Sequence, residues 1–135
     1  DTDAPDTSPA EALPSRRILV VDDEADLLDL LKTGLYMRGY VVDAVASGMD
    51  ALEKLKNNSY DAVIIDFLLS GSLSGADIYA HIDENFPQLQ KHTLFITADT
   101  MNYQTRTFLE STGRPVLEKP FLMADLVAEL QKAEL

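Results

Sequence analysis

The sequence has no cysteine, so neither a disulfide framework nor a thiolate metal site can form, a composition that suits a reducing compartment. No apolar run approaches the roughly 18 residues a membrane span needs, and the start lacks the basic-then-apolar order of a signal peptide. Together these absences give the expectation of a cytoplasmic protein without direct membrane contact. Bases are scarce, 11 against 23 acids, for a formal charge of −12. A surface of that sign repels phosphate backbones and anionic lipid, so nucleic-acid binding by this chain is not expected. Acidity also serves solubility by itself. No G-x-G-x-x-G or P-loop follows the first strand-like segment, which removes the usual nucleotide cradles.

What is present is enough for one domain with its own core at 135 residues. The first 15 residues stand apart: Asp1, Asp3, Asp6 and Glu11 lie among Pro5, Pro9 and Pro14 with no base. Residues 1–15 therefore read as a flexible acidic linker and 16–135 as the folded domain. Ile18 to Val21 is a short β-branched run that stops at Asp22-Asp23-Glu24. The period then becomes helical, with Leu27, Leu28, Leu30, Leu31 and Leu35 on one face and Arg38-Gly39 as the stop. Val41 to Ala46 reads as a second strand, and Ser47-Gly48-Met49-Asp50 opens a helix carrying Ala51, Leu52 and Leu55.

Tyr60 to Asp66, Y-D-A-V-I-I-D, is the most telling stretch. Four apolar residues end on a carboxylate, the pattern of a strand buried on both faces whose last residue emerges at the sheet edge. A Ser/Gly-rich turn follows, in which Gly71 and Gly75 suit tight backbone geometry. A helix over Ala76 to Ile82 then ends before Pro87. Thr93 to Thr97 reads as a fourth strand, Met101 to Thr112 as a helix stopped by Gly113, and Pro115 to Leu117 as a fifth strand. A last helix carries Leu126, Val127 and Leu130. Five strands alternating with five helices indicate an α/β domain with a doubly wound parallel sheet.

Ligands of such sheets bind beyond the carboxyl ends of the strands. Those ends deliver Asp22 and Asp23, Asp66, Thr97 and Lys119. Each of these alone is an ordinary loop residue. As a set they are three carboxylates, which a hard cation such as Mg²⁺ would hold together, with one hydroxyl and one ammonium. A carboxylate in that setting can attack a phosphoryl group to give an acyl phosphate. Cation, ammonium and hydroxyl would share the charge of the transferred group, and the small Ala98 leaves room for it.

V-V-D-D-E, the lone Asp66 after Y-D-A-V-I-I, I-T-A around Thr97 and L-E-K-P-F resemble, in order, the receiver domain of two-component response regulators. The likeness runs from about Arg17 to Leu135. It implies a flavodoxin-like sheet in strand order 2-1-3-4-5 and Asp66 as phosphoacceptor. It implies Asp23 and Asp66 as direct Mg²⁺ ligands, Asp22 as a ligand through water, and the Leu68 backbone carbonyl completing the shell. Lys119 would pair with the phosphate from a cis bond to Pro120, Thr97 would be the switch hydroxyl, and Leu68 and Asp99 would tune phosphate lifetime. The switch would bias the face of the fourth helix, fifth strand and fifth helix. The donor would be a phosphohistidine on a histidine kinase or a histidine phosphotransfer domain.

The chain also departs from the pattern. Leu69 and Ser70 stand where the family usually has Met-Pro, Gly75 comes one residue late, and Val116 replaces the usual aromatic switch. I-T-A-D-T-M and R-P-V-L-E-K-P-F look most like receivers of hybrid sensor histidine kinases, for which the acidic leader would be the tether. A stand-alone regulator, a degenerate receiver used only for docking, and a phosphatase-like hydrolase with an Asp66 nucleophile are the competing readings. The last would need a further acid/base and a cap domain. His81 lies on a helix without the long partner helix of a phosphohistidine domain, and His92 has no partner at metal-ligand spacing.

Overall fold

The computed structural model describes residues 15–135, so the linker reading of residues 1–15 lies, but for Ser15, outside the described residues. Five strands, β1 (Arg17–Val21), β2 (Val41–Val45), β3 (Ala62–Asp66), β4 (Thr93–Thr97) and β5 (Val116–Glu118), form one parallel sheet in the order β2-β1-β3-β4-β5. The helices are α1 (Ala25–Tyr36), α2 (Gly48–Asn57), α3 (Gly75–Asn85), α4 (Pro87–Gln90), α5 (Tyr103–Thr112) and α6 (Met123–Lys132).

Alternation along the central strands divides the core in two. Ile18, Val20, Ile64, Leu94 and Ile96 face α1 and α6, whose Leu31, Leu35, Leu126 and Leu130 complete that side. Leu19, Val21, Val63, Ile65 and Phe95 face the other way, toward Ala51 and Leu55 of α2, Ile78 and Ile82 of α3 and Leu109 of α5. Strands apolar at every position are thus explained by helices on both faces.

Among the described residues there are six helices rather than five. Pro87 was expected only as a stop, and α3 does end before it, but a proline also fits the first position of a new helix because its missing N–H has no partner there. The single turn of α4 buries Leu89. Several boundaries also move; β1 begins at Arg17 and β2 ends at Val45 rather than Ala46. Arg38 lies beyond the end of α1, though its guanidinium still donates to the Gly34 carbonyl at 3.1 Å. Asn102 caps α5 through the Thr105 amide, so Met101 lies outside it. β5 begins at Val116.

Candidate functional site

Strand register builds the site. β1 and β3 pair with Val21 opposite Ile65, which sets Asp22 beside Asp66 where the two strands end. β3 and β4 pair Asp66 with Ile96, so Thr97 stands one step beyond. β4 and β5 pair Thr97 with Glu118, and the Lys119 amide donates to the Thr97 carbonyl at 2.7 Å. Four distant segments therefore meet at one rim because all run in the same direction.

Asp22 is fully buried, Asp66 is 4% exposed and Asp23 is exposed. One oxygen from each lies within 4.8 Å of the others. Lys119 Nζ sits among them, 2.8 Å from Asp22 Oδ2, 3.6 Å from Asp66 Oδ2 and 2.6 Å from Glu24 Oε1. Asp22 Oδ1 accepts the Glu24 amide at 2.8 Å, and Asp66 Oδ1 accepts the Leu68 amide at 3.1 Å. Apart from the Lys119 ammonium, which it shares with Asp66 and Glu24, the buried Asp22 Oδ2 has no donor among the described residues.

The electrostatics follow. Burial, reinforced by repulsion from Asp22, pushes the Asp66 carboxyl up to about 6, against the pull of Lys119 and the Leu68 amide. Burial would lower the lysine, but Asp22, Glu24 and Asp66 outweigh it and hold Lys119 above its ordinary range. At Asp23 the Ser70 hydroxyl, donating to Oδ2 at 2.6 Å, holds the carboxyl below the usual range. One ammonium serves two buried carboxylates and an exposed one. An oxygen-lined cluster whose buried acceptor Asp22 Oδ2 has only a shared ammonium for a partner among the described residues fits a hard divalent cation.

Thr97 is fully buried, and its hydroxyl is engaged in its own turn, accepting the Asp99 amide at 3.2 Å. Asp99 Oδ1 accepts the Met101 and Asn102 amides at 3.0 and 3.1 Å, so its carboxylate braces the turn into α5. Ala98 and Leu68 are exposed at the rim. The Lys119–Pro120 peptide bond is cis. Val116 packs with Phe67 and Phe108 against the α2–α3–α5 side of the core, where the ring of Phe67 lies 5.4 Å from that of Phe108 and 5.9 Å from that of Phe95.

The turn after Asp66 is set by close approach. A Cβ on Gly75 would stand 2.7 Å from both the Asp66 carbonyl oxygen and Phe67 Cα, so only glycine fits there. Gly71, at φ +108°, turns the chain between Ser70 and α3. His81 and His92 are remote from this rim: His81 is on α3 with its ring near Phe86, and His92 sits at the amino end of β4. Sequence reasoning gave no role to Glu24 and treated Ser70 only as a departure. The clue for Glu24 was its place directly after Asp22-Asp23, within reach of a lysine brought to the same rim.

The model of one family, the response regulator receiver domain, matches residues 18–131. Among curated proteins, the chain is 36% identical over 122 residues to the uncharacterized transcriptional regulatory protein YrkP of Bacillus subtilis, covering 86% of this chain and 50% of that one. It is 31% identical over 115 residues to the transcriptional regulatory protein TrcR of Mycobacterium tuberculosis, covering 85% of this chain and 44% of that one. The chain thus spans about half the length of the curated relatives it matches. Among solved structures, a CheY-like receiver domain protein from Methanospirillum hungatei superposes with a TM-score of 0.80 at 23% identity, covering 89% of this chain and 94% of that one, a likeness of fold. The non-phosphorylated HemR receiver domain from Leptospira biflexa gives 0.76 at 27% identity, covering 87% and 93%.

Proposed function

Since the chain belongs to the response regulator receiver domain family, we propose that it is a switch phosphorylated on Asp66 by a phosphohistidine, with Mg²⁺ required. The observation that carries the reading is the convergence of Asp22, Asp23 and Asp66 with Lys119 at one end of the sheet. An Asp66 oxygen attacks the donor phosphorus, the new O–P bond forms as the N–P bond breaks, and the departing imidazole takes up a proton. Bound Mg²⁺ would supply charge neutralisation for the phosphoryl oxygens. Asp22, Asp23, Asp66 and the Leu68 carbonyl are the groups that would hold it, Asp22 through water. Lys119 would leave its Glu24 pairing to meet a phosphoryl oxygen, and Thr97 would turn its hydroxyl from the Asp99 amide toward the same group. Hydrolysis of the acyl phosphate would reset the switch, with Leu68 and Asp99 at its flanks tuning the rate.

Partners would be a histidine kinase or a histidine phosphotransfer domain. Among the described residues no helix is long and apolar enough to cross a membrane, which agrees with a cytoplasmic setting. The charge of −12 argues against this segment itself holding nucleic acid. The curated relatives are named transcriptional regulatory proteins and extend well beyond the matched part, which favours a regulator over a hybrid kinase as the parent architecture. The hybrid-kinase reading rests on the phrases around Thr97 and Lys119 alone.

Val116 and the altered turn motivate one rival, a receiver kept only for docking. Intact mass after treatment with a small-molecule phosphodonor separates the two. Uptake of one phosphate with Mg²⁺, and none with chelator, is the expected result; no uptake under either condition would favour the docking module.

A further inference from the structure

Ser70 lies in the turn after β3, 47 residues from Asp23 in sequence, yet its hydroxyl donates to Asp23 Oδ2 at 2.6 Å and its amide approaches the same oxygen at 3.4 Å. Leu69 beside it is 5% exposed, so the turn is pinned to the core at the residue preceding the contact. Both Ser70 contacts fall on Oδ2, and among the described residues no other residue donates to Oδ1. One oxygen of an exposed carboxylate is thereby held, while the other takes no donor from another described residue. A proline, which the family resemblance places at this position, has neither the hydroxyl nor the amide proton and could make neither contact.

We propose that Ser70 is a positioning residue for the metal site, fixing the Asp23 carboxylate so that its free oxygen meets the cation. This rests on the reading of Asp22, Asp23 and Asp66 as the Mg²⁺ site. A long-range hydrogen bond to a ligating carboxylate is the outer support that metal sites use to orient their ligands. Without it, an exposed aspartate samples several rotamers and must be ordered when the ion binds. The turn after Asp66 is therefore tied to metal binding twice, through the Leu68 carbonyl and, from outside the ligand set, through Ser70.

Titration calorimetry with Mg²⁺ on the metal-free chain tests this. Ser70→Ala should weaken affinity by about tenfold, the low end for loss of an outer-shell partner, while Ser70→Thr, which keeps the hydroxyl, stays within about twofold of wild type. Ser72→Ala, in the same turn, should change nothing, which separates a specific contact from general loosening of the loop. Ser70→Ala binding as tightly as wild type, or more tightly because the serine competes with the ion, would overturn the role of Ser70. A wild-type chain that binds no Mg²⁺ would overturn the metal assignment beneath it.

Discussion

At the amino edge of the sheet, Asp43 Oδ2 accepts from Tyr60 Oη at 2.6 Å and from Arg17 Nη2 at 2.9 Å. The same guanidinium reaches Asn58 and stacks 5.3 Å from the Tyr60 ring centre, while Asp61 takes the Arg17 amide at 2.8 Å. At the carboxyl edge, Asp22, Glu24 and Asp66 crowd around one lysine, with Asp23 beside Asp22 and Asp66. The first edge gives one carboxylate two side-chain donors of its own; at the second, Asp22, Asp66 and Glu24 share a single ammonium. Burial would raise Asp43, but Tyr60 and Arg17 outweigh it and hold the carboxyl below its ordinary range, whereas Asp66 is pushed up to about 6. A carboxylate with its partners in place contributes to stability. Buried carboxylates that must share one cation are costly until a ligand adds charge of the opposite sign.

Breaking the carboxyl edge should show the largest effect. Lys119→Ala removes one donor to the developing phosphoryl charge and should slow phosphoryl uptake by about 10² to 10³, while Mg²⁺ binding persists. Single-turnover phosphorylation beside calorimetry checks the pair of outcomes.

The two edges should next respond to pH with opposite sign. Asp66 titrates near its ordinary value of 3.8 when unfolded and at about 6 when folded, so the folded state holds its proton longer. Without metal, stability then falls as pH rises from about 4 to about 6 and stays lowered above that. Asp66→Asn should accordingly gain up to about 3 kcal/mol in chelator at neutral pH and little at about pH 3. Denaturant melts at the two pH values read this directly.

Asp43 behaves the other way. Its pKa is lower folded than unfolded, so its contribution is present above the ordinary carboxylate range and disappears as pH falls through the folded value. Asp43→Asn should cost about 1–2 kcal/mol at neutral pH, lose that penalty in acid, and leave Mg²⁺ affinity unchanged. A change in metal binding there would mean the two edges are not separate.

Much of this was legible before any coordinates. Runs such as Ala62 to Ile65, apolar at every position and ending on Asp66, announce strands covered on both faces, and their last residues name the rim. Capping chemistry located α2 through Ser47. What escaped depends on through-space meetings. Glu24 pairs with Lys119 across 95 residues, and Ser70 meets Asp23 across 47, neither with a local pattern. The single turn of α4 escaped because Pro87 ends one helix and starts another. The engagement of Thr97 with Asp99 was hidden too, since a hydroxyl at a strand end can face the site or its own turn.

The central claim is that one carboxylate, made reluctant to ionise by its surroundings, is where the phosphoryl group lands. Reductive trapping of the acyl phosphate after phosphodonor treatment with Mg²⁺, followed by peptide mass mapping of wild type and Asp66→Ala, tests it most directly. The trapped group should lie on Asp66 and be missing from the variant; a label on another residue, or equal labelling of Asp66→Ala, would contradict the account.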